Sequence, residues 1–174
     1  MSRRLRNTGV LLVAAASSVL LYGGTAYADP TPTPIAVEIL TPRAAFTDDV
    51  SLQARLKLDG QGTEVIKSAN ASHVVTQKVT VQPGAQIPWH THHGPVFVTI
   101  AEGELTYVGS EDCTGRRYPA GTAFVDPGHG HVHTAYNSGE TVTLFVATFF
   151  EVPEGTAPIS IPADGPADCK IPIG

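Results

Sequence analysis

The sequence predicts an all-β domain, a sandwich or barrel of short strands, and three observations lead there. Fourteen Pro and seventeen Gly among 174 residues interrupt the chain too often for long helices. Apolar residues recur with a period of two in several segments, as in a strand with one buried face. Turn signals separate those segments at close, regular spacing. The length suits one domain. With 42% hydrophobic and 16% charged residues, the chain has surface for a core and lacks the charge density of a disordered protein.

In chain order, Arg3, Arg4 and Arg6 precede an uncharged run from Gly9 to Ala26. The run closes on Ala26-Tyr27-Ala28, the small-x-small pattern of a signal-peptidase site, so residues 1–28 read as a secretory signal. Its strongly apolar part, 10–22, is shorter than the roughly 20 residues a membrane span needs, and Gly23-Gly24 interrupts it, which predicts no membrane insertion once the signal is removed. Residues 29–48 open with Asp-Pro-Thr-Pro-Thr-Pro and read as an extended Pro-rich leader, with a short apolar stretch at 37–40. The barrel is expected over 49–151. In 50–58, Leu52, Ala54, Leu56 and Leu58 alternate with Gln53, Arg55 and Lys57, and Asp59-Gly60-Gln61-Gly62 is a turn. In 73–82, Val75, Gln77, Val79 and Val81 share one face, and Pro83-Gly84 ends the strand. Further strands are predicted at 96–101, 104–108, 122–125, 131–137 and 142–151. Residues 152–174 form a Pro-rich tail that lies loosely on the surface unless Cys169 pins it.

Without the three signal arginines, eight basic residues face sixteen acidic ones, a net charge of −8. No basic run remains, which argues against nucleic acid and anionic membranes as partners. Cys113 and Cys169 both fall in the exported part. An even pair in an oxidising compartment reads as a disulfide, and two thiolate metal ligands are the competing reading. The expected location is secreted or extracytoplasmic.

Six of the seven histidines form two tight groups: His90, His92 and His93, then His129, His131 and His133. In an extended segment residues i and i+2 share a face, so His90 and His92 can converge, and His131 and His133 repeat the pattern. Two strands lining one barrel interior can thereby hold several imidazoles around one metal ion. His93 is out of phase and reads as a loop or supporting residue, His129 between two glycines as a turn residue, and His73 has no assigned role.

The surrounding spacing resembles the cupin superfamily. Gly84-x5-His90-x-His92-x3-Val96-x6-Gly103 follows the first cupin motif, with Val96 where the family usually has Glu. Gly121-x5-Pro127 followed by His133-x3-Asn137 resembles the second motif with one extra residue between the Pro and the His. The resemblance spans about 75–150. It implies a single-domain jelly-roll β-barrel, commonly a homodimer, with His90, His92 and His133 as the retained metal ligands and the carboxylate missing. His131 is the expected fourth ligand, because it should share a face with His133. Glu102 and Glu104 are expected to face solvent.

A set of neutral imidazoles favours a divalent transition metal (Fe, Zn, Ni or Cu) over Mg or Mn and leaves positions open to water or substrate. The expected function is an exported metal-binding cupin, a metal-dependent, oxygenase-like enzyme acting on a small molecule. The alternative is a non-catalytic cupin that binds a metal or small ligand. Gln86, Thr99, Tyr107 and Tyr136 are polar residues near the motifs whose facing the sequence does not define.

Overall fold

Burial along the strands follows the period of two. On the strand from Thr143 to Phe150 the buried positions are Thr143, Phe145, Ala147 and Phe149, and each alternate residue is only partly covered. The structure is a computed structural model that describes residues 33–57, 62–68, 71–155 and 159–172. The signal read over 1–28, the opening of the leader and most of the turn at 59–62 lie outside these residues.

The described residues contain the strands β1 (Ile35–Ala45), β2 (Leu52–Lys57), β3 (Thr63–Ser68), β4 (His73–Val81), β5 (Gln86–Thr91), β6 (Val96–Glu102), β7 (Glu104–Gly109), β8 (Gly115–Pro119), β9 (Ala123–Asp126), β10 (His133–Tyr136), β11 (Thr143–Phe150) and β12 (Ile161–Pro162). They build two five-stranded sheets, β1-β4-β11-β6-β9 and β12-β5-β10-β7-β8, together with a two-stranded ribbon, β2-β3. The antiparallel pairing brings Val79 and Val81 of β4, Val96, Val98 and Ile100 of β6, Leu105 of β7 and Phe145 of β11 into one core. Fully burying each large side chain contributes about 1.5–3 kcal/mol. The expected all-β jelly-roll architecture is the architecture found.

Several elements differ from the sequence reading. Residues 35–45, read as part of a leader, form a full strand of the first sheet, with Ile35 opposite Val81 and Ala45 opposite His73. The tail is also structured: β12 pairs with β5, and a Cys113–Cys169 disulfide closes the chain across a sequence separation of 56. Strand β10 begins at His133 rather than at 131, because Gly128, His129 and Gly130 all take positive φ. The His131 N–H then closes a turn on the Gly128 carbonyl at 2.9 Å. Gly128 is required there twice over, since a Cβ at its φ of +64° would lie 2.0 Å from the Gly94 carbonyl oxygen.

Candidate metal centre

Strands β5 and β10 are neighbours, and their register sets His90 directly opposite His133. His92 follows β5 by one residue and shares the inward face of His90. The ring centroids are 4.8 Å apart for His90 and His92, 4.2 Å for His90 and His133, and 5.2 Å for His92 and His133. One ring nitrogen from each of the three lies within 4.8 Å of the others. The outer nitrogens are all engaged. His90 Nδ1 donates to the Pro88 carbonyl at 2.7 Å, and His92 Nδ1 to the Ile159 carbonyl at 3.0 Å. His133 Nδ1 lies 3.1 Å from Asp126 Oδ2 and 3.3 Å from the His131 carbonyl. Each bond fixes the tautomer with the proton on Nδ1, which leaves Nε2 with its lone pair facing the common point.

The electrostatics agree with neutral ligands. Burial, followed by the neighbouring His92, lowers the His90 pKa to about 4. Burial also lowers His92, and burial outweighs the opposing pull of Asp126 to bring His133 to about 3. Three uncharged imidazoles anchored through Nδ1 are the donor set that a borderline divalent ion takes, because metal-ligating histidines donate their second nitrogen to a carbonyl or carboxylate. The residues present therefore fit such an ion.

The three rings border a cavity of about 110 Å³ whose other walls are mainly apolar, including Val79, Ile87, Leu105, Phe124 and Phe145. Two further polar residues of the lining, Tyr107 and Asp126, form a buried network with the centre. Asp126 is 1% exposed. Its Oδ2 accepts from Tyr107 O–H at 2.6 Å and its Oδ1 from the Gly128 N–H at 2.9 Å. Burial pushes its pKa upward, but the hydrogen bonds from His131 and Tyr107 and the electrostatic pull of the surrounding imidazoles prevail, holding it below the carboxylate range. Burial and the adjacent Asp126 raise the Tyr107 phenol, which stays protonated.

A family comparison applies to this geometry: the Cupin_2 cupin domain matches residues 77–149. These residues belong to the cupin superfamily. No curated protein matches the chain. Among solved structures, an uncharacterized conserved protein with a double-stranded β-helix domain from Klebsiella pneumoniae subsp. pneumoniae is 21% identical. That match covers 71% of this chain and 83% of the other, with a TM-score of 0.46. The polyketide cyclase RemF from Streptomyces resistomycificus is 17% identical over 55% of this chain and 64% of its own, TM-score 0.45. The oxalate decarboxylase of Bacillus subtilis is 25% identical over 44% of this chain and 21% of its own, TM-score 0.40.

Within the cupin barrel, His131 departs from its expected place beside the other three. It precedes β10, and its Nδ1 lies 3.3 Å from Asp126 Oδ2 and 3.1 Å from the Tyr107 oxygen, with Nε2 2.9 Å from Glu111 Oε1. Burial disfavours its charge, but the bond to Asp126 and the charges of Asp126, Glu111 and Glu64 outweigh burial and raise its pKa. With Nδ1 hydrogen-bonded to Tyr107 and both nitrogens facing carboxylates, the ring is set up to be protonated on both, a form with no lone pair for a metal. His93 lies outside the cavity lining. His129 sits in the turn as expected, 2.7 Å from Glu151, and His73 contacts Ser72.

Of the four polar residues near the motifs, Tyr107 alone lines the cavity. Gln86 donates to Thr134, Thr99 is exposed, and Tyr136 is buried away from the lining. Glu102 is exposed, and Glu104 is partly covered by its 2.6 Å pair with Arg117. The residue the sequence reading missed is Asp126, at the end of β9, whose place opposite Val96 is set by a cross-strand register that no local sequence pattern marks.

Proposed function

We propose that this cupin is an exported metalloprotein in which His90, His92 and His133 hold one divalent transition ion (Fe, Zn, Ni or Cu) that acts on a small molecule, with oxygenase-like chemistry. The observation that carries this reading is the convergence of three Nδ1-anchored imidazoles at the wall of an apolar cavity. An ion held by three neutral ligands would supply Lewis acidity or redox chemistry at its open coordination positions. The chain's own residues do the rest. The three imidazoles fix the ion's place, the apolar wall excludes water and selects a ligand, and the Tyr107 hydroxyl holds its proton against Asp126.

The cavity volume of about 110 Å³ suits a ligand of few heavy atoms, given that a water molecule's share of the liquid is about 30 Å³. A non-catalytic metal or ligand carrier is the second reading. It is favoured by the fact that Tyr107 and Asp126 already bond to each other, which leaves the cavity without an uncommitted acid or base. The proposed partners are a small molecule and a second copy of the chain, with no nucleic acid and no membrane insertion after signal removal. Val37, Ile39 and Leu40 of the edge strand β1 are exposed, apolar surface of the kind a second copy covers.

The test is metal content of the exported protein and of two variants. Wild type should carry close to one ion per chain, and His92→Ala should lose most of it while keeping the fold. His93→Ala should retain it. Full metal in His92→Ala would remove the assignment. Metal-loaded protein that turns over no small molecule would favour the carrier reading.

A further inference from the structure

We propose that Asp126 is the carboxylate of this centre, relocated from β6 to β9, where it acts on the ion through His133 instead of binding it. This inference rests on the metal-binding reading above. The first motif usually supplies a Glu where this chain has Val96, and the antiparallel pairing of β6 with β9 sets Val96 directly opposite Asp126. Both residues line the same cavity and both are 1% exposed. The carboxylate is thus absent from its usual strand and present on the adjoining one, at the register partner of the vacated position.

The contacts define what it does there. Asp126 Oδ2 receives the Tyr107 hydroxyl at 2.6 Å and lies 3.1 Å from His133 Nδ1 and 3.3 Å from His131 Nδ1, while Oδ1 receives the Gly128 N–H at 2.9 Å. Donors on both oxygens call for an ionised carboxylate, which accepts only. Its charge, 3.1 Å from His133 Nδ1, favours the ring's proton on that nitrogen, which also donates to the His131 carbonyl at 3.3 Å, and so turns Nε2 toward His90 and His92 and makes the imidazole a stronger donor to a cation. Its negative charge also offsets part of the +2 that three neutral ligands leave uncompensated in an apolar cavity.

Asp126, His131 and His133 also approach one another closely enough to hold an ion by themselves. That grouping would need the lone pair of His133 Nδ1, the atom that donates to the His131 carbonyl. It would also need His131, whose Nδ1 is hydrogen-bonded to the Tyr107 oxygen and whose Nε2 lies 2.9 Å from Glu111. The proposal therefore assigns the ion to Nε2 of His133 and Asp126 to the opposite edge of the same ring.

Zinc affinity, measured by competition with a chromophoric chelator on the full exported chain, separates the possibilities. Asp126→Asn should bind zinc about 10–100-fold more weakly than wild type at unchanged stoichiometry, the usual cost of losing such a supporting group. Adding Val96→Glu to that variant should restore most of the affinity by returning a carboxylate from β6. Wild-type affinity in Asp126→Asn, or a double variant as weak as the single one, would overturn the proposal while leaving the three-histidine centre standing. Wild type that binds no zinc would overturn both. Should Asp126→Asn fail to fold, long-range proton–nitrogen NMR of zinc-loaded wild type decides. His133 should be protonated at Nδ1 and metal-bound at Nε2, and the reverse assignment would contradict the proposal.

Discussion

His90, His92 and His133 each donate Nδ1–H to a carbonyl oxygen, which orients the rings, while their burial keeps them neutral and available against the opposing pull of those same acceptors. This has a consequence for pH. The unfolded chain takes up protons on these residues below about 6.5, whereas folded His90 and His133 resist until about 4 and about 3. Their folded pKa values are depressed, so the metal-free fold should lose stability as pH falls from about 6.5 toward 4. The size is on the order of 3 kcal/mol for a shift as large as that of His90. His131 works in the opposite sense: its pKa is raised, so its contribution is present below 6.5 and fades as pH rises through the folded value. With three lowered histidines against one raised, urea denaturation of metal-free protein should show a clear net loss between pH 7 and pH 4.5. A flat profile would mean that the rings are more hydrated than their burial indicates. The triad was legible in the sequence because His-x-His spacing fixes which side chains share a face. Asp126 was not, since a cross-strand register between residues 96 and 126 leaves no local pattern in either segment.

The C-terminal tail shows how an element outside the barrel motifs takes part in the centre. Ile159 accepts the His92 Nδ1–H, β12 pairs with β5 beside His90, and the Ala163 N–H donates to the Trp89 carbonyl at 3.1 Å. Gly165 packs so closely on the Trp89 indole that a Cβ would lie 2.3 Å from the ring. The Cys113–Cys169 disulfide anchors the far end of this strap. On the loop-entropy model, closing a loop of that length stabilises the fold by roughly 4 kcal/mol. Replacing both cysteines by Ser should therefore lower the melting temperature and also weaken metal binding about tenfold by freeing His92, an effect of the size expected when a ligand's outer hydrogen bond is lost. Unchanged metal affinity would show that the strap stabilises the fold without holding His92. The pairing of the two cysteines was readable from their number and the predicted export signal, but the strap itself was not. Strand β12 has only two residues, and β5 contains Pro88, which usually argues against a strand and here falls where the β5–β10 register shifts. Strand β4 was readable from its alternation, and β6 and β11 from apolar runs bounded by turn signals. Strand β8, Gly-Arg-Arg-Tyr-Pro, offers no apolar alternation to detect.

At the scale of the whole molecule, the basic start, apolar run and Ala26-Tyr27-Ala28 predict export with cleavage after Ala28. Mass spectrometry of the secreted protein should find Asp29 at the N-terminus, and material beginning at Met1 or Ser2 would contradict that. Cleaved there, the chain would carry a net charge of −8, which attracts divalent cations in general and gives no selectivity by itself. Selectivity has to come from the three imidazoles and the carboxylate behind one of them, held by two sheets whose register sets His90 against His133 and Val96 against Asp126. The most direct test is X-ray absorption at the metal edge, on protein purified through its own export route. The spectrum should show a single site with nitrogen donors at about 2.0–2.1 Å, the Zn–N value, and the outer-shell scattering of three imidazoles. An ion with fewer than two imidazoles, or protein without metal after that preparation, would contradict the three-histidine centre.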